Sequence, residues 1–307
     1  MKVILSHIVM GAAACLAGAA QAETLDRIRD TGVVTMGVRE ASGTMSYTLG
    51  NGKYAGFHVE LCEKALARMQ QQLKLPRLEI RYQMVTAQNR VPLVANGTVD
   101  VECGTTTNNA ARQKEVAFAP TVYMEEVRTA VRKSSGITEV AQLKGRKVAA
   151  TTGATAVTLL RRFSKEKGVD FNVLMAKDNA ECFVLLETGR ADACVADGQI
   201  LASGLSRLRD PGQYAIVGES FSVEPIAIML DRKSPEFKKL FDAQIREMAS
   251  SGEVAALYDK WFMKPVPPTG VAINLPASEA TRAAWAAPSD KPLEDYVAVR
   301  LVVGRTQ

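Results

Sequence analysis

The chain has 307 residues, 47% of them apolar and 23% charged, with a formal net charge of +5. That length allows two domains or one large one, and the apolar share demands a sizeable core rather than a disordered polymer. No block of five or six like charges occurs, so nothing marks a nucleic-acid surface.

The first stretch, "MKVILSHIVMGAAACLAGAAQA", puts one early lysine before an apolar run and ends in small residues at Ala20, Gln21 and Ala22. This is the layout of a secretory leader spanning residues 1–22, cleaved after Ala22. A lipid anchor on Cys15 ranks below it, because the preceding "GAAA" lacks the usual leucine. No later run reaches the roughly 18 apolar residues of a membrane helix. An exported, periplasmic chain beginning at Glu23 is expected. Four cysteines then remain, Cys62, Cys103, Cys182 and Cys194. In an oxidising compartment they permit two disulfides in three connectivities, with four buried free thiols as the alternative. Cys62–Cys103 with Cys182–Cys194 is the preferred pairing. There is no CxxC, and His58 is the one histidine beyond the leader, so no zinc pattern exists.

From there short apolar runs alternate with amphipathic stretches, which predicts an α/β architecture. "VVTMGV" reads as a strand, "GFHVELCEKALARMQQQL" as a helix, "LEIRYQMV" as a strand, "NRVPLVANG" as a helix and "VDVECG" as a strand. "VRTAVRK" reads as a crossing strand. The alternation resumes with "KVAAT", "TAVTLLRRFSKEKG", "DFNVLMA", "NAECFVLLETG" and "ADACVAD". "VEPIAIML" suggests a second crossing strand. "SPEFKKLFDAQIREMA" follows as a helix with a serine cap and proline at its first position, and "GEVAALYDKWF" gives another before "KPVPP" ends it. Trp261 and Phe262 read as packing residues. No period is visible from Pro288 onward until "YVAVRLVV".

One pattern occurs twice. "PLVANGTVDVECGT" and "VLLETGRADACVAD" each close a helix with a glycine, Gly97 or Gly189, suited to the left-handed position after a helix. Each places an aspartate three residues later, Asp100 or Asp192, and then a short strand. Five residues past those aspartates stand Thr105 and Asp197, at strand carboxyl ends where open α/β sheets bind ligands. Two such sheets suggest two lobes facing one cleft.

Catalytic patterns are scarce: no GxSxG, HExxH, Walker loop or GxGxxG is present. What stands out is "GTTTNNAAR". Thr105 and Thr107 share one side of an extended segment, Asn108 or Asn109 can cap the next helix, and Arg112 offers a planar guanidinium that grips a carboxylate with two parallel bonds.

From about Leu25 to Pro268 the chain resembles the glutamate/aspartate branch of the periplasmic amino-acid-binding proteins of ABC importers. The motifs that carry the likeness are "GVREASG", "AQNRVPLVANGTVDVECGTTTNNAARQ", "LKGRKVAATTGAT", "AKDNAECFVLLETGRADACVAD" and "SGEVAALYDKWF". The resemblance implies a two-lobed clamshell, the type II periplasmic-binding-protein fold, with two strand crossings between lobes. Residues 23–126 would open the first lobe, 127–223 would form the second, and 224–307 would return to the first and carry a C-terminal extension. Arg112 would bind the ligand α-carboxylate, aided by Thr107 and Thr155. Asp197 and Thr105 would receive the α-ammonium group, and Arg39 with Arg90 the side-chain carboxylate. Two positions depart from the family pattern: Ala87 stands for a serine and Asn179 for a histidine, both at the side-chain end.

Charge supports an anion. Arg39, Arg90 and Arg112 supply three positives against Asp197, and a neutral ligand would leave a buried guanidinium unpaired, at about 3–5 kcal/mol. The expected function is thus a non-enzymatic, monomeric solute-binding protein that needs no cofactor and delivers an acidic L-amino acid to an inner-membrane ABC permease. Two rivals share the scaffold. One is a dehydratase-like enzyme using Glu102 or Glu181 as proton donor; the other is a ligand-sensing partner of a membrane receptor.

Overall fold

The computed structural model describes residues 23–296. The leader with Cys15 and the apolar run from Val297 onward lie outside the described residues.

The chain opens with α1 (Thr24–Thr31), β1 (Val33–Val38), β2 (Ala41–Ser42), β3 (Ser46–Gly50), β4 (Lys53–Ala55) and α2 (Phe57–Gln72). It continues through β5 (Glu79–Met84), α3 (Arg90–Ala95), β6 (Val101–Glu102), α4 (Ala110–Gln113) and β7 (Ala117–Phe118). The long β8 (Tyr123–Arg132) leads away to β9 (Lys147–Thr151), α5 (Thr155–Lys167), β10 (Asn172–Ala176), α6 (Asn179–Glu187), β11 (Ala193–Asp197) and α7 (Gly198–Leu205). Then β12 (Tyr214–Ile226) returns to β13 (Met229–Leu230), α8 (Pro235–Ser250), α9 (Glu253–Tyr258) and α10 (Glu279–Ala286).

Two five-stranded sheets result, ordered β5-β1-β6-β13-β7 and β10-β9-β11-β8-β12. Within each, three strands are parallel (β5, β1 and β6; β10, β9 and β11), and the other two are joined by antiparallel pairings. The fold is therefore α/β and two-lobed. β8 and β12 pair with each other along the passage between the lobes, from Tyr123↔Ile226 to Arg132↔Tyr214. The first crossing begins four residues before the predicted one. The second begins at Tyr214, nine residues before the predicted Val223. Its apolar pattern is broken by Gly218, Glu219 and Ser220, where the pairing slips between Val217 and Ser222.

The repeated glycine–aspartate pattern has a backbone cause. Gly97 and Gly189 take positive φ angles, 76° and 72°, at the helix ends. Three residues on, Asp100 accepts from the Thr35 N–H at 2.7 Å and Asp192 from the Lys147 N–H at 2.9 Å. Each aspartate pins the start of its strand to the neighbouring strand, which fixes where the strand ends five residues later. The disulfides repeat the symmetry: Cys62–Cys103 ties α2 to the end of β6, and Cys182–Cys194 ties α6 to β11.

The first lobe has an aromatic core. Phe262 stacks on Tyr258 with centroids 4.0 Å apart and Phe57 meets both edge-on, so the packing role read for Trp261 and Phe262 holds. α8 starts at the predicted proline, but Ser234 makes no side-chain cap bond; the Phe237 N–H goes to Glu23 instead. The small sheet β2-β3-β4 went unpredicted because its strands are too short to show alternation. Beyond α9 the chain turns back over the crossing strands: Trp285 donates to the Val122 carbonyl, and Asn108 holds the carbonyls of Asp290 and Lys291. The C-terminal segment thus buttresses the hinge.

Candidate functional site

A space of about 370 Å³ outside the atoms lies between the lobes. From the first lobe it is lined by Arg39, Ala87, Arg90, Thr105 and Thr107, and from the second by Thr151, Ala154, Thr155, Asn179 and Asp197. Seven of the eight sequence-predicted ligand residues therefore line one cavity. The eighth, Arg112, closes its edge. Its guanidinium donates to the Thr107 carbonyl at 2.8 Å and reaches across to the Gly153 carbonyl at 3.3 Å. The Asn109 side chain caps α4 by accepting the Arg112 N–H, which aims that arginine at the cleft.

The cations are poorly matched within the protein. Arg39 and Arg90 are 4% and 3% exposed, yet neither they nor Arg112 ion-pairs with a carboxylate among the described residues. Arg90 donates one bond to the Thr105 carbonyl at 2.8 Å, and its Nε has no partner. Burial, then Arg90, lowers Arg39 to about 10 and Arg112 to about 9. Burial also lowers Arg90. Donors left unsatisfied in this way are what an incoming anion relieves.

Asp197 ends β11 and sits beneath the same cavity. Withdrawal from water, then the nearby Glu224, raises its carboxyl to about 7 against the pull of Arg90, Arg39 and Arg112. Behind it Glu125 is raised well above the carboxylate range by burial and by Asp197. Glu125 and its neighbour Glu126 point apart on β8, the first buried and the second exposed.

α5 presents its N-terminus here. Ala154, at the cap, offers no side-chain bond, so the first backbone N–H groups of a 13-residue helix remain open to an anion.

The two departures from the family pattern both line the cavity. Ala87 supplies no polar atom. Asn179 accepts from the Thr151 hydroxyl at 2.8 Å and donates to the Ala41 carbonyl of the other lobe at 2.8 Å. Another cross-lobe contact is made by Gln199, whose Oε1 accepts the Thr44 N–H at 3.1 Å beside Gly43.

Two further carboxylates stand beside the site, and the sequence reading missed the second. Glu102, weighed above as a proton donor, is fully buried, accepts from the Thr106 hydroxyl at 2.8 Å and lies close enough to act on Arg39 and Arg90. Glu224 is fully buried on β12 and accepts from Thr107 at 2.7 Å, Thr155 at 2.8 Å and Ser222 at 2.9 Å. A lone carboxylate inside the apolar run "SVEPIAIML" was the available signal, since a charge there needs partners. Glu181, the other acid weighed for catalysis, bonds the Lys177 N–H and does not line the cavity. His58 is buried and held neutral, lowered to about 4 by burial, with Nδ1 donating to the Gly104 carbonyl.

Comparison with known proteins matches residues 34–264 to the bacterial extracellular solute-binding proteins, family 3. The chain is 40% identical over 273 residues to the L-glutamate/L-aspartate-binding protein of Pseudomonas aeruginosa, covering 88% of this chain and 90% of that protein. It is 36% identical over 290 residues to the glutamate/aspartate import solute-binding protein of Escherichia coli, covering 92% and 96%. Among solved structures, the solute receptor for L-cysteine of Neisseria gonorrhoeae is 26% identical, with a TM-score of 0.67 over 78% of this chain and 93% of that one. The fold, the cleft and these likenesses agree: the chain belongs to the family 3 bacterial extracellular solute-binding proteins.

Proposed function

We propose that the protein captures L-glutamate or L-aspartate between its lobes and hands it to an ABC permease. The α-carboxylate would take Arg112 and the open N-terminus of α5, and the α-ammonium would take Asp197. The side-chain carboxylate would take Arg39 and Arg90. The observation that carries this reading is the pair of buried guanidiniums, Arg39 and Arg90, facing the cavity without an ion-pair partner. The names of the 36–40% identical relatives point the same way. The ligand contacts both lobes, so only the closed form satisfies both its ends, and closure about β8 and β12 is the transition that binding favours. We place the mature chain in the periplasm, after removal of residues 1–22, as a monomer.

Calorimetry on protein refolded free of ligand tests this. Glutamate or aspartate is expected to bind at least tens of times more tightly than glutamine, and equal affinities would defeat the assignment. In the same series Arg112→Ala should weaken every amino acid, whereas Arg90→Ala should weaken acidic ones selectively, by about 1.5–3 kcal/mol.

A further inference from the structure

Glu224 touches no cavity surface, yet it is hydrogen-bonded to one cavity residue from each lobe. Thr107, from the first lobe, and Thr155, from the second, both donate to its Oε2, at 2.7 and 2.8 Å, and Ser222 fixes the other oxygen. A hydroxyl carries one proton and two lone pairs. With that proton committed to Glu224, each threonine can offer the cavity only lone pairs. Lone pairs repel a carboxylate and accept from an ammonium, and Asp197 lines the same cavity.

We propose that Glu224 is a positioning residue that sets the hydrogen-bond polarity of the cleft, turning the Thr107 and Thr155 hydroxyls into acceptors for the ligand ammonium group. The two hydroxyls then serve the ammonium rather than the α-carboxylate that the family likeness implied, and they converge on one ligand group only when the lobes are closed, because Thr107 comes from the first lobe and Thr155 from the second. This rests on the reading of the ligand as an amino acid and deepens it: the selected class is a compound with a protonated amine next to the carboxylate, and deaminated acids of the same length are rejected.

A double-mutant cycle tests the coupling. Glu224→Gln keeps the shape, but with its N–H₂ at the Oε2 position it donates to both threonine hydroxyls, whose protons must then turn into the cavity. Thr107→Val removes one of those hydroxyls. Glu224→Gln is expected to weaken L-glutamate at least tenfold, and much less than tenfold when added to Thr107→Val. Glutarate, which lacks the amine, should change by less than about threefold on Glu224→Gln. Additive losses, or equal losses for glutamate and glutarate, would assign Glu224 a purely structural role and overturn the proposal. If the wild type binds L-glutamine as well as L-glutamate, the acidic-ligand reading fails by itself. The same cycle run with L-glutamine then still decides the role of Glu224.

Discussion

Gly153 is where the lobes meet backbone to backbone, and a single methyl group there should hold them apart. It lies between β9 and α5 with φ of +82°, and a Cβ built on it would stand 2.7 Å from the Ala87 carbonyl oxygen and 2.8 Å from the Gln88 Cα. These are main-chain atoms of the opposite lobe and have no rotamer to escape into. Ordinary contact begins at 3.4 Å, so the lobes must retreat by about 0.7 Å at this point. The Arg112 bond to the Gly153 carbonyl, already 3.3 Å long, would then be lost. Overpacking of this kind costs about 1–3 kcal/mol. It falls on the closed form alone, so ligand affinity should drop roughly 5- to 150-fold.

The left-handed backbone adds a second cost, of about 1 kcal/mol for alanine, but open and closed forms share it. Gly168 separates the two effects: its φ is +65° and an added Cβ meets nothing within 4 Å. Gly153→Ala and Gly168→Ala should therefore both lower Tm, by about 2–4 °C. Only Gly153→Ala should weaken binding in calorimetry and blunt the ligand-induced fall in radius of gyration in small-angle scattering. Wild-type affinity and compaction in Gly153→Ala, or an equal loss of affinity in Gly168→Ala, would refute the reasoning.

Two further outcomes are expected. In the closed site without an ammonium, Asp197 stands at about 7, against 3.8 for an ordinary aspartate. Closing around glutarate should therefore take up a proton between those values, and its affinity should fall as pH rises from about 4 to about 7, by at most tenfold per unit. Glutamate supplies the ammonium that keeps Asp197 ionised, so its affinity should stay flat. Calorimetry in buffers of different ionisation enthalpy counts the protons, and identical pH profiles for the two ligands would contradict the role of Asp197. The disulfides close 41- and 12-residue separations. By loop entropy they contribute on the order of 4 and 3 kcal/mol, so reduction should lower Tm sharply. Four free thiols in unreduced, denatured protein would refute both bridges.

What the sequence made legible was local. Gly97 with Asp100 and Gly189 with Asp192 are short-range devices, and they led directly to Thr105 and Asp197 at the strand ends. Periodicity placed most helices and strands longer than about five residues, but it missed α1, α7 and α10, helices of eight residues each. The partnerships that were missed join distant positions. Thr44 meets Gln199 across 155 residues and Thr107 meets Glu224 across 117, and no local pattern encodes either. β12 was cut short for a related reason: its bulge and polar residues are tolerated because β8 runs alongside, and that pairing is invisible one residue at a time. Pro288 onward showed no period because it is held to Asn108 and the hinge by individual hydrogen bonds rather than by a repeating face.

The balance of charge at the cleft differs most between the chain and the fold. Counted along the chain, three guanidiniums face one aspartate, and that surplus argues for an acidic ligand. In the fold Glu102 and Glu224 join Asp197 around Arg112, so three carboxylates stand against the three guanidiniums. Net charge then does not choose the ligand; donor placement does. Arg39 and Arg90 line the cavity, Arg90 with its Nε unpartnered, and the side-chain carboxylate of glutamate would answer such donors with acceptors only. The amide of glutamine has the same shape but would turn N–H toward N–H. One unsatisfied buried donor costs about 1–3 kcal/mol, which is roughly 5- to 150-fold in affinity. An unpaired buried charge would instead give about 3–5 kcal/mol, a preference approaching or exceeding a thousandfold at its upper end. The measured ratio of glutamate to glutamine affinity therefore separates the two accounts: tens-fold selectivity means that hydrogen-bond polarity decides, and several thousandfold means that Glu102 and Glu224 do not offset the arginines.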